Sequence, residues 1–110
     1  MNEHIREIAQ LDRIVHEPAR LQILMFLQEL EEADFIYLQR EGGFTQGNLS
    51  GHLSKLVDAG YIRIRKMFKG KVPLTVCTLT AAGERALHTY CEQMASILRE
   101  QRESGLSKHS

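Results

Sequence analysis

The residues equipped for chemistry in this chain are hydrogen-bonding ones, and they crowd into one stretch. Between Thr45 and Gly60 stand Gln46, Asn48, Ser50, His52, Ser54 and Lys55, interleaved with Gly47, Gly51 and a leucine series. Amide, hydroxyl, imidazole and ammonium groups at this density suit base edges and phosphates. Bond-breaking chemistry has no comparable signature. There is no glycine-rich phosphate loop, no HExxH, no GxSxG and no cysteine pair at metal spacing, and the centre of Gly47-Asn48-Leu49-Ser50-Gly51 is a leucine where a nucleophile elbow needs serine. An enzyme is therefore not expected.

The element that must position these groups is a helix. Leu49, Leu53, Leu56 and Val57 fall at i, i+4, i+7 and i+8 and form one buried stripe, Thr45 is a suitable N-cap, and Gly60 suits the left-handed stop. The opposite face carries Gly47, Asn48, Gly51, Ser54, Lys55 and Asp58. A glycine inside a helix costs ~1 kcal/mol relative to alanine. A face this small lets the helix axis approach another surface closely. Ser50 and His52 lie at the stripe edge, where half-buried packing and phosphate contact are both open readings.

A second basic feature follows. The whole chain has 14 basic and 14 acidic residues, yet Tyr61 to Lys71 holds Arg63, Arg65, Lys66, Lys69 and Lys71 with no acid, while Glu29 to Glu41 is acid-rich. Local charge is what meets phosphates, so this asymmetry counts for more than the neutral total. Alternation from Tyr61 to Arg65, a turn at Lys69-Gly70-Lys71 and renewed strand chemistry from Leu74 to Leu79 predict a two-stranded hairpin with a basic tip, Pro73 lying beside the turn. Basic residues also guard strand edges against aggregation, but five without an acid favour phosphate contact. Alternation puts about three of them on one face.

Length and composition fit this frame. At 110 residues and 43% hydrophobic content the chain is one domain, spanning 1–103, with a flexible polar tail at 104–110. Cys77 and Cys91 make no disulfide framework, the first residues contain no apolar signal segment, and no apolar run approaches membrane-spanning length. A cytoplasmic protein with no membrane partner is expected.

Apolar spacing predicts a first amphipathic helix from about His4 to Val15, a central second helix opening at Pro18 and running to Leu30, and a short helix from Phe35 to Glu41 capped by Asp34. A strand at Phe35 to Leu38 is the competing reading; the Asp before and Gly42-Gly43 after favour helix. That helix, the turn Gly42-Gly43-Phe44-Thr45 and the stretch above then make a helix-turn-helix. Thr80 can cap a last helix from Ala81 to about Arg102. The fold class is mainly α (α+β): a winged helix-turn-helix with a two-stranded β-wing and a long C-terminal helix.

The segment Gly47 to Leu56, then Gly60-Tyr61 and Phe68-Lys69-Gly70-Lys71-Val72-Pro73, resembles small winged-helix transcriptional regulators related to the MarR and ArsR families. His16 to Leu24 and Leu79-Thr80-Ala81-Ala82-Gly83 resemble the openings of their second and last helices. The resemblance covers roughly Val15 to Leu87. It implies a homodimeric regulator, a repressor by this reading, that places residues 45–59 in the major groove of an inverted-repeat operator and residues 61–79 on the adjacent backbone or minor groove. Ile5, Ile8 and Leu11 at one end, and Tyr90, Met94, Ile97 and Leu98 at the other, exceed what a winged core can bury and form the expected dimer interface.

No cofactor and no metal are expected. Glu84, His88, Cys91 and Glu92 share a helical face, but their spacing does not reproduce the ligand sets of metal-sensing relatives, and an effector stays unassigned. Cys77 and Cys91 carry no sign of a redox pair. The alternative reading is a winged-helix module that docks an acidic protein without DNA specificity.

Overall fold

The chain folds in the order α1 (Glu3–Arg6), a 3-10 turn (Glu7–Gln10), α2 (Pro18–Leu30), β1 (Glu32–Asp34), α3 (Phe35–Gly42), α4 (Gln46–Asp58), β2 (Ile62–Lys69), β3 (Val72–Leu79) and α5 (Ala81–His109). This computed structural model describes residues 3–109, with side chains to Gly105. Pro18 supplies the first turn of α2, where its missing amide has no helical partner to lose, and Glu17 caps that turn by accepting from Arg20 N at 2.8 Å. Ile23, Leu24 and Leu27 then bury completely against Val15, Leu38, Leu49, Leu56, Cys77 and Leu87. Truncating any of these leucines to alanine costs about 2–5 kcal/mol, so this core fixes where α3 and α4 sit.

The first helix is shorter than its apolar spacing predicts. It ends at Arg6, tightens into the 3-10 turn, and reaches an extended Leu11 with ψ 146°. Asp12 is the cause: its Oδ1 accepts from Ile14 N at 2.8 Å and Val15 N at 3.2 Å, offering the backbone an alternative to helix. At the other end α5 runs to His109 instead of stopping near Arg102. No proline interrupts it, and Gly105 alone costs only ~1 kcal/mol. Most of the expected polar tail is therefore helix, and Ser110 lies outside the described residues.

The hairpin is part of a three-stranded antiparallel sheet of order β1-β3-β2, not a two-stranded one. Glu31 closes α2 with φ 70°, a reversal that returns the chain along β3, pairing Glu32 with Thr78, Ala33 with Cys77 and Asp34 with Val76. Three residues are too few for periodicity to reveal such a strand. Phe35 to Gly42 is helix, as its flanks predict: Asp34 caps it by accepting from Tyr37 N at 2.9 Å, and Gly43 ends it at φ 71°.

Helix α5 starts under a tight constraint. Thr80 Oγ1 accepts from Gly83 N at 3.0 Å and donates to Gly60 O at 2.6 Å. A Cβ on Gly83 would stand 2.0 Å from Tyr61 O, so only glycine permits this approach. Farther along, α1 docks on α5, where His4 Nε2 hydrogen-bonds Gln101 Oε1 at 2.9 Å. The molecule measures 64 × 24 × 22 Å. Among the described residues no helix is long and apolar enough to cross a membrane.

Candidate nucleic-acid interface

Helix α4 follows α3 through the turn Gly43-Phe44-Thr45. Thr45 Oγ1 accepts from Asn48 N at 3.1 Å at its start. At its end Gly60 N donates to Val57 O and Tyr61 N to Leu56 O, both at 2.9 Å, with Gly60 at φ 80°; these are the two bonds of a Schellman stop. Leu49, Leu53 and Leu56 are buried as the stripe requires, whereas Val57 remains 40% exposed. Thr45, Gln46, Asn48, Ser50, Gly51, Ser54 and Lys55 are all exposed. A Cβ on Gly47 or Gly51 would meet nothing within 4 Å, so nothing inside the chain requires glycine at either position.

The two flanks of α4 differ. Gln46, Ser50, Ser54 and Val57 line an open groove of about 710 Å³ with Ile62, Arg63 and Ile64 of β2. On the other flank His52 is part-buried and turned toward α2, as the half-buried packing that was one of its two open readings requires. Arg20 Nη1 lies 3.4 Å from His52 Nδ1, Glu17 Oε2 lies 3.8 Å from the same nitrogen, and the Phe44 ring stands 6.2 Å away.

Arg20 is the residue that sequence reasoning missed. It is 9% exposed, its Nε donates to Ile14 O at 2.7 Å, and its Nη2 donates to Arg13 O at 3.3 Å. It thereby ties the loop before α2 to α4. Burial raises the Glu17 carboxyl, but the Arg20 and Ala19 amides and the nearby His52 and Arg20 outweigh it and leave the pKa below its ordinary 4.5. The same loop holds two more elements: Tyr61 donates a hydrogen bond to Asp12 Oδ2, and His16 Nδ1 shares a 2.7 Å hydrogen bond with Tyr90 of α5. The signal was one arginine standing among apolar α2 residues, three places after a capping glutamate.

The wing carries the bases unevenly. Its register, Ile62 opposite Leu79 through Lys69 opposite Val72, leaves Gly70-Lys71 as a two-residue loop with positive φ at its first position only, the pattern of a type II′ turn. Alternation puts Lys66 on one face, Arg63, Arg65 and Lys69 on the other, and Lys71 at the tip. All five are exposed. Arg65, expected to meet phosphate, is instead paired with Glu32 at 3.2 Å. Both partners are exposed, so the pair is worth under about 1 kcal/mol and yields readily to a phosphate.

The expected dimer stripe divides. Leu11, Tyr90 and Ile97 are 4%, 5% and 3% exposed and belong to the chain's own core, which corrects their assignment, because α1, the 3-10 turn and α2 all pack against α5. Ile5, Ile8 and Leu98 remain open, and Met94 is half-buried. Glu84, His88, Cys91 and Glu92 do not gather: His88 pairs with Glu92 at 3.0 Å on the surface, and among the described residues no group of three or more potential ligands is placed to hold a metal. Cys77 is buried, which pushes its thiol up to about 11, and both cysteines are free.

A capped helix presented by a helix-turn-helix, beside a basic hairpin packed on the same core, defines a winged helix. The profile of the winged helix DNA-binding domain family matches residues 19–98, and the chain belongs to that family. It is 33% identical over 86 residues to an uncharacterized protein of Methanocaldococcus jannaschii, covering 77% of this chain and 92% of that one. Its fold is similar to that of a transcriptional regulator homologue from Pyrococcus horikoshii, with a TM-score of 0.80 and 27% identity over 88% of this chain and 95% of that one. Bacillus subtilis PadR, solved in complex with operator DNA, shares the fold at a TM-score of 0.61 and 22% identity, covering 69% of this chain and 46% of PadR.

Proposed function

We propose that this protein is a homodimeric transcriptional repressor of the winged-helix type, related to the MarR and ArsR regulators, that binds an inverted-repeat duplex. In this reading α4 enters the major groove and the wing lies along the adjacent backbone or minor groove. The observation that carries it is the outer face of α4. Asn48, Ser54 and Lys55 stand exposed beside two glycines that no internal packing requires, and the basic wing extends from the end of the same helix. A folding argument alone leaves those glycines unexplained; a close-approaching duplex explains them.

One helix-turn-helix reads few base pairs, so specificity calls for two copies with their reading helices about 34 Å apart. Ile5, Ile8 and Leu98 supply exposed apolar surface for such a pairing. Selection of bound sequences from a random duplex pool tests the proposal. An enriched inverted repeat is the expected result, and Asn48→Ala should then lower affinity for it by ~1–3 kcal/mol per half-site with little change on random duplex. Affinity should also fall steeply between about 50 and 200 mM salt. Recovery of no sequence, with negligible binding to any duplex at low salt, would leave a protein-docking module in its place.

A further inference from the structure

Phe68 is 71% exposed, more than any other large apolar side chain among the described residues. It stands two residues before the turn glycine, opposite Pro73, and the expense of exposing it is unrelated to folding: neither the hairpin register nor the type II′ turn needs an aromatic ring there. The need to protect a strand edge accounts for lysines, not for a phenylalanine.

Its position is specific. Alternation places Ile62, Ile64, Lys66 and Phe68 on one face of β2. Near the body, Ile62 and Ile64 on this face line the groove shared with Ser50, Ser54 and Val57 of α4. Phe68 therefore projects on the α4 side of the wing, roughly 13 Å beyond Ile64 along the strand. Lys66 shares its face, Lys69 and Lys71 stand at the adjoining turn, and no acidic residue occurs between Tyr61 and Gly83. The surface that fits is anionic with an apolar slot.

We propose that Phe68 is an apolar wedge that enters the minor groove next to the bound half-site and partly unstacks one base step. This rests on the duplex-binding reading above. Apolar side chains inserted between base steps open the minor groove and kink the duplex, and flanking lysines hold the two phosphate rows while the ring enters. A lysine-ringed phenylalanine also suits an anionic lipid surface. The duplex is favoured because Phe68 falls on the face of β2 whose Ile62 and Ile64 line the groove beside α4.

The test uses the duplex recovered by selection, carrying 2-aminopurine at successive steps flanking each half-site. Wild-type protein should raise the fluorescence at one step per half-site. Phe68→Ala should abolish that rise and weaken binding on the order of tenfold, and Phe68→Leu should retain part of both. Lys69→Ala should weaken binding but keep the fluorescence rise. Because Phe68 is exposed, all variants should melt as wild type does. A duplex bound with no rise at any step, or a rise that survives Phe68→Ala, overturns the wedge while leaving duplex binding intact. Loss of Phe68-dependent binding confined to vesicles of phosphatidylglycerol would assign the ring to lipid and overturn it as well. Absence of any wild-type binding to duplex would overturn the regulator reading itself.

Discussion

The guanidinium of Arg20 and the imidazole of His52 lie 3.4 Å apart, joining α2 to α4. Arg20 also satisfies two loop carbonyls while 9% exposed, so Arg20→Ala strands several polar groups at once. The expected loss is about 3 kcal/mol in urea unfolding at neutral pH. Glu17, capping α2 beside Arg20, has a lowered pKa, so its contribution is present above its unfolded value and is lost as pH falls through the folded one. The gap between wild type and Arg20→Ala should therefore narrow below pH 4.5. A gap constant down to pH 3 would remove Glu17 from the network.

Tyr61 presents the opposite sign. Its hydrogen bond to Asp12, together with burial, pushes the phenol up to about 12 from 10. The folded state then holds the proton more tightly, and stability is lost as pH rises from 10 toward 12. Cys77 adds a loss of the same sign starting nearer 9, so the comparison must be made pH by pH. Tyr61→Phe should cost about 1–2 kcal/mol at pH 8 and converge on wild type by pH 12. Parallel stability curves would show that the Asp12 bond contributes nothing.

Two glycines separate folding from binding. Gly83→Ala forces a Cβ against the Tyr61 carbonyl and should destabilise by several kcal/mol, read by thermal melting. Gly51→Ala meets open space, so it should stabilise by up to ~1 kcal/mol. If α4 enters a groove, the same change weakens duplex binding, and Gly51→Glu abolishes it. A Gly51→Glu protein with normal affinity would take this face out of the groove.

Dimerisation is tested at residues exposed in the protomer. Ile8→Asp with Leu98→Asp should leave the far-ultraviolet spectrum unchanged, yield a monomer in sedimentation, and cut affinity for the inverted repeat by more than tenfold, since one half-site then binds alone. Ile97→Ser should instead unfold the protein, its side chain being 3% exposed. A double variant that stays dimeric would place the interface elsewhere.

Legibility of this fold in its sequence followed the length of each signal. The stripe of α4, its Thr45 cap and its Gly60 stop span four turns and agree with one another, so the helix was readable almost to the residue. Strand β1 was not, because three residues carry no period and its pairing with Thr78 to Val76 lies more than forty residues away. Helix α1 was overread because the apolar spacing from Ile5 to Val15 is compatible with helix, while Asp12 competes for the backbone through bonds that spacing does not encode. The outward face of α4 and the basic wing follow from local pattern. The inward turn of His52 and the Arg65–Glu32 pair depend on partners distant in the chain, and only the assembled fold reveals them.

Gly83 gives the last helix a fulcrum. Backbone rests on backbone there, with no side chain between to yield, and the bearing surface is the Tyr61 carbonyl at the junction of α4 and β2. From Gly83 to His109, α5 makes an arm of about 39 Å. A tilt of about 5° at the pivot sweeps its far end through more than about 3 Å, by the same rise per residue. If two such arms clasp in a pair and α4 lies on a duplex, as proposed above, the converse follows: a small slip between their distal ends becomes a fine rotation at the pivot, geared down by the length of the arm and delivered to the end of α4.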